Sequence, residues 1–129
     1  MGKILLVEDD PIESRMYANL LKKQGFEIRA ISTGKTCRDV AREFQPSLIV
    51  LDIMMPEMNG FETLDVLRFD PYTHGIPVLV LTNLSDDHYK KEALRRGATE
   101  YLVKSNIGNA DLLSVITDIM RAYEKPSSS

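Results

Sequence analysis

Carboxylates, a hydroxyl and an ammonium follow the apolar runs of this chain. Glu8, Asp9 and Asp10 come after Ile4-Leu5-Leu6-Val7, Asp52 after Leu48-Ile49-Val50-Leu51, Thr82 after Val78-Leu79-Val80-Leu81, and Lys104 after Tyr101-Leu102-Val103. If Glu8, Asp9 and Asp52 converge, each pair at ~5 Å and an effective dielectric constant of ~20 repels by roughly 3 kcal/mol. Such a group calls for a cation or for protonation. Oxygen-only donors with no nearby His or Cys suit a hard ion, and an open site that keeps several waters suits Mg²⁺ better than Ca²⁺. An acidic pocket alone repels phosphate. An ion reverses that sign by bridging carboxylate and phosphoryl oxygens, while Lys104 and the Thr82 hydroxyl add charge and a hydrogen bond from the far side. In that setting the Asp52 carboxylate is a credible nucleophile for in-line phosphoryl transfer, giving an aspartyl phosphate.

This chemistry requires elements that bring the run ends together. Continuous apolar runs mark strands buried on both faces, so 4–7, 48–51 and 78–81 are expected as central strands. Segments 27–31 and 101–103 are shorter or interrupted by Arg29, as edge strands are. Helical patterns fill the gaps, which makes a β/α alternation and a parallel sheet covered on both faces. In such a sheet ligands bind beyond the carboxyl ends of the strands, where strand order reverses. Edges at the second and fifth strands, with right-handed crossovers, favour a flavodoxin-like doubly wound α/β fold of order 2-1-3-4-5 with five helices. The first and third strands are then neighbours.

For the first helix, Asp10 is the expected N-cap, Pro11 the first residue and Glu13 the partner in a variant capping box. Ile12, Met16 and Leu20 are expected to line its apolar face, and Gly25 to end it. The middle helices are expected over 34–44, 59–69 and 86–96. The last is expected to be capped by Asn109 and to present Leu112, Leu113, Ile116, Ile119, Met120 and Tyr123 at helical spacing.

The 129 residues fit one domain with a single packed core, expected over 1–124 with a flexible tail at 125–129. A hydrophobic share of 43% against 27% charged leaves little room for long disorder. The net charge of −3 argues against this chain gripping a nucleic-acid backbone. No apolar run approaches the roughly 20 residues that span a bilayer, and no signal peptide is evident, so a cytoplasmic setting is expected. The single Cys37 cannot form an internal disulfide and is expected to be a partly buried structural thiol.

Taken singly, Glu8-Asp9-Asp10 reads as a solvated turn and cap, Asp52 as a turn residue, Lys104 as a surface ion and Tyr101 as edge-strand packing. Their joint placement is what points to a site. The side chains of Met54, Met55 and Met58 are expected as loop packing or adaptable surface with no ligand role, and His74 and His88 as exposed.

Over about Lys3 to Tyr123 the chain resembles the two-component response-regulator receiver family. The resemblance is carried by Val7-Glu8-Asp9-Asp10-Pro11, Leu51-Asp52-Ile53-Met54-Met55-Pro56-Glu57-Met58-Asn59-Gly60, Leu81-Thr82 and Tyr101-Leu102-Val103-Lys104. It implies a signalling switch in which Asp52 accepts a phosphoryl group from a histidine kinase or phosphotransfer protein. It implies Mg²⁺ held by Glu8, Asp9, Asp52 and the Met54 carbonyl, a switch pair Thr82 and Tyr101, and Lys104 as ionic partner of the phosphoryl group. The signal would then change the surface of the fourth helix, fifth strand and fifth helix, with Lys90, Lys91, Arg95, Arg96 and Tyr101, and phosphorylation-dependent dimerisation is compatible with it. The chain would be no enzyme beyond its own phosphorylation and dephosphorylation. Kinase, stimulus and downstream effector or output domain are not encoded in these motifs.

The chain departs from the family pattern at Ser105, where many members have Pro in a cis bond, and at the larger Asn83 after Thr82. Met54 and Leu84, two residues beyond Asp52 and Thr82, cannot orient an attacking water, so slow self-hydrolysis is expected. Two rival classes fit less well. A flavin-binding module would want a Ser/Thr/Gly-rich phosphate loop where Glu8-Asp9-Asp10 stand. An aspartyl phosphohydrolase of the familiar kind would place its nucleophile after the first strand.

Overall fold

In the computed structural model, which describes residues 2–55 and 59–124, strands and helices alternate from Lys3 to Ala122. The strands are β1 (Lys3–Val7), β2 (Glu27–Ile31), β3 (Leu48–Leu51), β4 (Val78–Thr82) and β5 (Glu100–Val103). The helices are α1 (Pro11–Lys23), α2 (Cys37–Phe44), α3 (Gly60–Phe69), α4 (Asp87–Arg95) and α5 (Asn109–Ala122). All strand pairs are parallel, in the order β2-β1-β3-β4-β5. The expected doubly wound order is therefore observed, with β1 beside β3 at the centre.

The side-chain alternation of the strands divides the core into two layers. Leu5, Val7, Ile49, Leu51, Val78 and Val80 face α2, α3 and α4, packing with Ala41, Phe44, Leu64, Leu67 and Ala93. Ile4, Leu6, Leu48, Val50, Leu79 and Leu81 face α1 and α5, packing with Tyr17, Leu21, Leu112 and Ile116. Each such side chain, fully buried, contributes roughly 1.5–3 kcal/mol of transfer free energy. Both faces of the central strands are filled, which is why they read as unbroken apolar runs. The outer strand β2 has no fully buried residue.

Several local expectations are corrected. The buried face of α1 is Tyr17, Ala18 and Leu21, with the expected Leu20 partly buried against the same cluster, while Ile12 is 78% and Met16 48% exposed. Two neighbouring rows of the helix at intervals of four, 12-16-20 and 13-17-21, compete for the core, and the charged Glu13 at the head of the second disguised it. Asp10 does cap α1, accepting from the N–H groups of Ile12 at 2.8 Å and Glu13 at 3.2 Å. No capping box forms, because the Asp10 N–H donates to Glu8 Oε2 at 3.1 Å instead. Gly25 follows the helix at φ 97°, the left-handed conformation that terminates a helix at low cost for glycine.

The expected second helix begins as a 3₁₀ turn at Gly34–Thr36 before α2 proper. Asn59 caps α3 and Asp86 caps α4 through their side chains. Asn109 is not a cap but the first residue of α5, with Gly108 in the cap position and no side-chain cap bond. At the other end of α5, Tyr123 lies beyond the helix and is 51% exposed. Cys37 is fully buried, not partly, and burial pushes its thiol up to about 12, so it stays protonated and inert. Met55 is buried, His74 and His88 are exposed, and Met58 and the expected tail at 125–129 lie outside the described residues. No described helix is long and apolar enough to cross a membrane.

Candidate functional site: an acidic cluster closed by one lysine

Register places the cluster. Val7 pairs with Leu51 at the end of the β1/β3 ladder, so Glu8 and Asp52 leave the sheet side by side. The Asp52 N–H still donates to the Val7 carbonyl at 3.0 Å. Thr82 pairs with Val103 in the β4/β5 ladder, and Lys104 is the next residue. Ile53, next to Asp52, is held against the start of α3: the Gly60 N–H donates to the Ile53 carbonyl at 3.1 Å, and a Cβ on Gly60 would lie 2.3 Å from the Ile53 Cα. Only glycine permits that approach.

Glu8, Asp9 and Asp52 each offer a carboxylate oxygen, and these lie within 4.8 Å of one another. Glu8 and Asp52 are buried, while Asp9 is accessible and takes no hydrogen bond or ion pair among the described residues. Lys104 reaches in from the fifth strand with its side chain 6% exposed. Its Nζ donates to Glu8 Oε1 at 2.5 Å, to Asp52 Oδ2 at 2.8 Å and to Glu13 Oε2 at 3.2 Å. The other Asp52 oxygen accepts the Met54 N–H at 2.9 Å. All described peptide bonds are trans, so Lys104 and Ser105 are joined by a trans bond that leads into a 3₁₀ turn at Lys104–Asn106.

The electrostatics are those of a site with too much negative charge. One ammonium faces four carboxylates. Burial is the main cause that raises the Glu8 pKa to about 7, with the Asp52 charge adding to it against the hydrogen bonds from Lys104 and Asp10. Burial works against the charged form of Lys104, but its bonds to Asp52 and Glu8 outweigh that and raise its pKa. The lysine stays charged.

Thr82, paired with the residue that precedes Lys104, is fully buried, and its Oγ1 accepts the Leu84 N–H at 3.4 Å. Tyr101 is turned inward into the core at 4% exposure, and its hydroxyl donates to the Leu84 carbonyl at 2.7 Å. The two expected switch residues thus grip the same loop residue from two strands. Met54 is 55% exposed and Asn83 is exposed at the rim.

The fold brings together all the expected acidic residues and Lys104. It adds Glu13, expected only as a capping partner. A sign of it was present in the sequence: in the row 13-17-21 a charged residue precedes Tyr17 and Leu21, and a charge heading a buried row needs a partner.

The description of response regulator receiver domains matches residues 4–117. Protein PilH of Pseudomonas aeruginosa is 32% identical over 93% of this chain and 98% of its own length. The DNA-binding response regulator MtrA of Mycolicibacterium smegmatis is 36% identical over 79% of this chain, which spans only 43% of that relative. Among solved structures, the BeF3-activated N-terminal receiver domain of Klebsiella pneumoniae RstA superposes with a TM-score of 0.84 at 30% identity, covering 92% of this chain and 98% of that one. The chemotaxis response regulator CheY4 of Vibrio cholerae does so with a TM-score of 0.84 at 28% identity and the same coverages. With the strand order, the match along most of the sequence and these likenesses in agreement, this chain belongs to the response regulator receiver domain family of two-component systems.

Proposed function

We propose that the domain, taken as residues 1–124, is a phosphorylation switch in which Asp52 accepts a phosphoryl group with the help of Mg²⁺. The observation that carries this reading is the Lys104 ammonium bridging Glu8 and Asp52 beside an accessible Asp9 carboxylate, at the carboxyl edge of the sheet.

The residues fit the ion. Their donors are all oxygens, they carry surplus negative charge, and one of them is accessible and has no partner among the described residues. Glu8, Asp9, Asp52 and the Met54 carbonyl would hold it, and bound there it would neutralise charge between carboxylate and phosphoryl oxygens. An Asp52 oxygen attacks phosphorus, the bond from phosphorus to the donor's imidazole nitrogen breaks, and that nitrogen keeps the electron pair and takes a proton. Lys104 pairs with a phosphoryl oxygen and the Thr82 hydroxyl donates to another. The donor is a phosphohistidine of a histidine kinase or phosphotransfer protein.

The Thr82 hydroxyl accepts from the Leu84 N–H and keeps its own proton to donate, and turning that proton toward a phosphoryl oxygen shifts its contact with Leu84. Tyr101, tied to the same residue, carries the change to the surface of α4, β5 and α5. Met54 and Leu84 offer no group to orient water, so the phospho-form hydrolyses slowly. The domain acts in the cytoplasm, contacts no nucleic acid itself, and passes its signal to an effector or output domain, with dimerisation on phosphorylation as one route.

The test is acetyl phosphate with and without Mg²⁺, read by intact mass beside an Asp52→Asn variant. One adduct that needs both Mg²⁺ and Asp52 is expected. An adduct on Asp52→Asn at the wild-type rate would overturn the assignment, and no adduct under any condition would leave a receiver-shaped binding module.

A further inference from the structure

Glu13 is the group at the site to which the proposed chemistry gives no task. It stands in the first turn of α1 at the head of the buried row with Tyr17 and Leu21, and its Oε2 takes the third hydrogen bond of Lys104 at 3.2 Å. The three acceptors of the ammonium differ in what binding must do to them. Glu8 is needed by the cation, and Asp52 is needed by both the cation and the phosphoryl group. Glu13 alone is free to stay. Its side chain is 31% exposed, against 3% and 8% for Glu8 and Asp52, so it keeps a solvated oxygen while holding the lysine.

We propose that Glu13 is a positioning residue that retains the Lys104 ammonium at the site when Glu8 turns from the lysine to the cation. The inference rests on the reading of this cluster as a Mg²⁺ and phosphoryl site. Without Glu13, a cation can capture Glu8 only by stripping Lys104 of one of its two remaining buried carboxylates, and cation binding weakens accordingly.

Glu13→Gln tests this with Asp10→Asn as control. Asn caps a helix about as well as Asp, and Asp10 carries a nearby charge without touching Lys104. Mg²⁺ titrations without any phosphoryl donor are expected to show an affinity loss of about fivefold for Glu13→Gln, the scale of one partly exposed ion pair. Asp10→Asn should change it by less than about twofold, as a solvated charge does. In ¹H–¹⁵N spectra of the full chain saturated with Mg²⁺, the Lys104 ammonium signal should persist in the wild type and disappear into exchange with water in Glu13→Gln. Equal affinity losses in the two variants, or an ammonium signal that survives in Glu13→Gln, would overturn the proposal. Both readouts are independent of phosphorylation. Failure of Asp52 to take up phosphate would fall on the proposed function, and failure of these comparisons on Glu13.

Discussion

Two cations are drawn into this protein, at opposite edges of its sheet, and their partners differ in kind. Lys104 is held by three carboxylates at the carboxyl edge. Arg68, on α3, is held among the described residues by backbone carbonyls: Gly97 accepts from Nε at 3.0 Å and Nη2 at 2.8 Å, and His74 and Ile76 accept from Nη1 at 2.9 and 2.6 Å. Burial lowers the pKa of Arg68, whereas that of Lys104 is raised. Carbonyls have no charge to offset and no other appointment, so the guanidinium is a clamp joining the loops that lead into β4 and β5. Carboxylates can trade an ammonium for a metal ion. A buried cation therefore signals function when its partners have somewhere else to go.

Replacing each cation with alanine gives the largest expected effects and the sharpest contrast. Lys104→Ala is expected to slow labelling of Asp52 by about 100-fold or more, the usual scale for losing a preorganised charge. In metal-free buffer near neutral pH it should also lose about 3 kcal/mol of stability, because it leaves carboxylates facing one another. Added Mg²⁺ should recover more stability in this variant than in the wild type, read by thermal melting. Arg68→Ala is expected to lose about 2 kcal/mol through the carbonyls it leaves unpaired, while labelling per folded molecule stays within about twofold. The contrast breaks if Arg68→Ala slows labelling as severely as Lys104→Ala.

The acidic side of the comparison has a pH signature. With its folded pKa raised to about 7, Glu8 keeps a proton in the folded chain that the unfolded chain has already released. Its contribution to stability is therefore present below the ordinary glutamate value of about 4.3 and lost as pH rises through about 7. Without Mg²⁺, denaturant midpoints should fall across that window, and Glu8→Gln should flatten the fall. Saturating Mg²⁺ should reverse the slope, since the cation rewards the deprotonated form. A metal-free profile identical in wild type and Glu8→Gln would mean that Lys104 already holds Glu8 charged at low pH.

This contrast also marks what the sequence made legible. The central strands, their order and the cluster Glu8, Asp9, Asp52, Lys104 could be read because each follows an apolar run, and parallel register lines up run ends automatically. Glu13 and Arg68 lie inside helices, where the assignment depends on which of two neighbouring rows turns inward. For α1 the apolar residues Ile12 and Met16 pointed to the wrong row, and only packing against the sheet decides between rows separated by a fraction of a turn. Arg68 could not be read at all, because its acceptors are backbone carbonyls and carry no residue identity. The absence of a capping box has the same origin: the Asp10 N–H found Glu8, a partner supplied by the site.

Tyr101 provides the smallest test, because it combines the two kinds of partnership. Its buried hydroxyl donates to a backbone carbonyl, that of Leu84, as Arg68 does, yet the same residue's N–H is held by Thr82, whose hydroxyl the proposed chemistry would turn toward a phosphoryl oxygen. If the bond is only a clamp, Tyr101→Phe should cost about 1 kcal/mol and leave everything else unchanged, because a ring of the same shape still fills the pocket. If Leu84 must move when Thr82 turns to a phosphoryl oxygen, the bond stabilises the resting arrangement specifically. Its removal should then lower the stability of the unmodified protein by that amount and that of the phosphorylated protein by less. Melting both forms of wild type and variant closes the cycle. Equal losses in the two forms would place Tyr101 with Arg68, and a loss confined to the unmodified form would place it with Lys104.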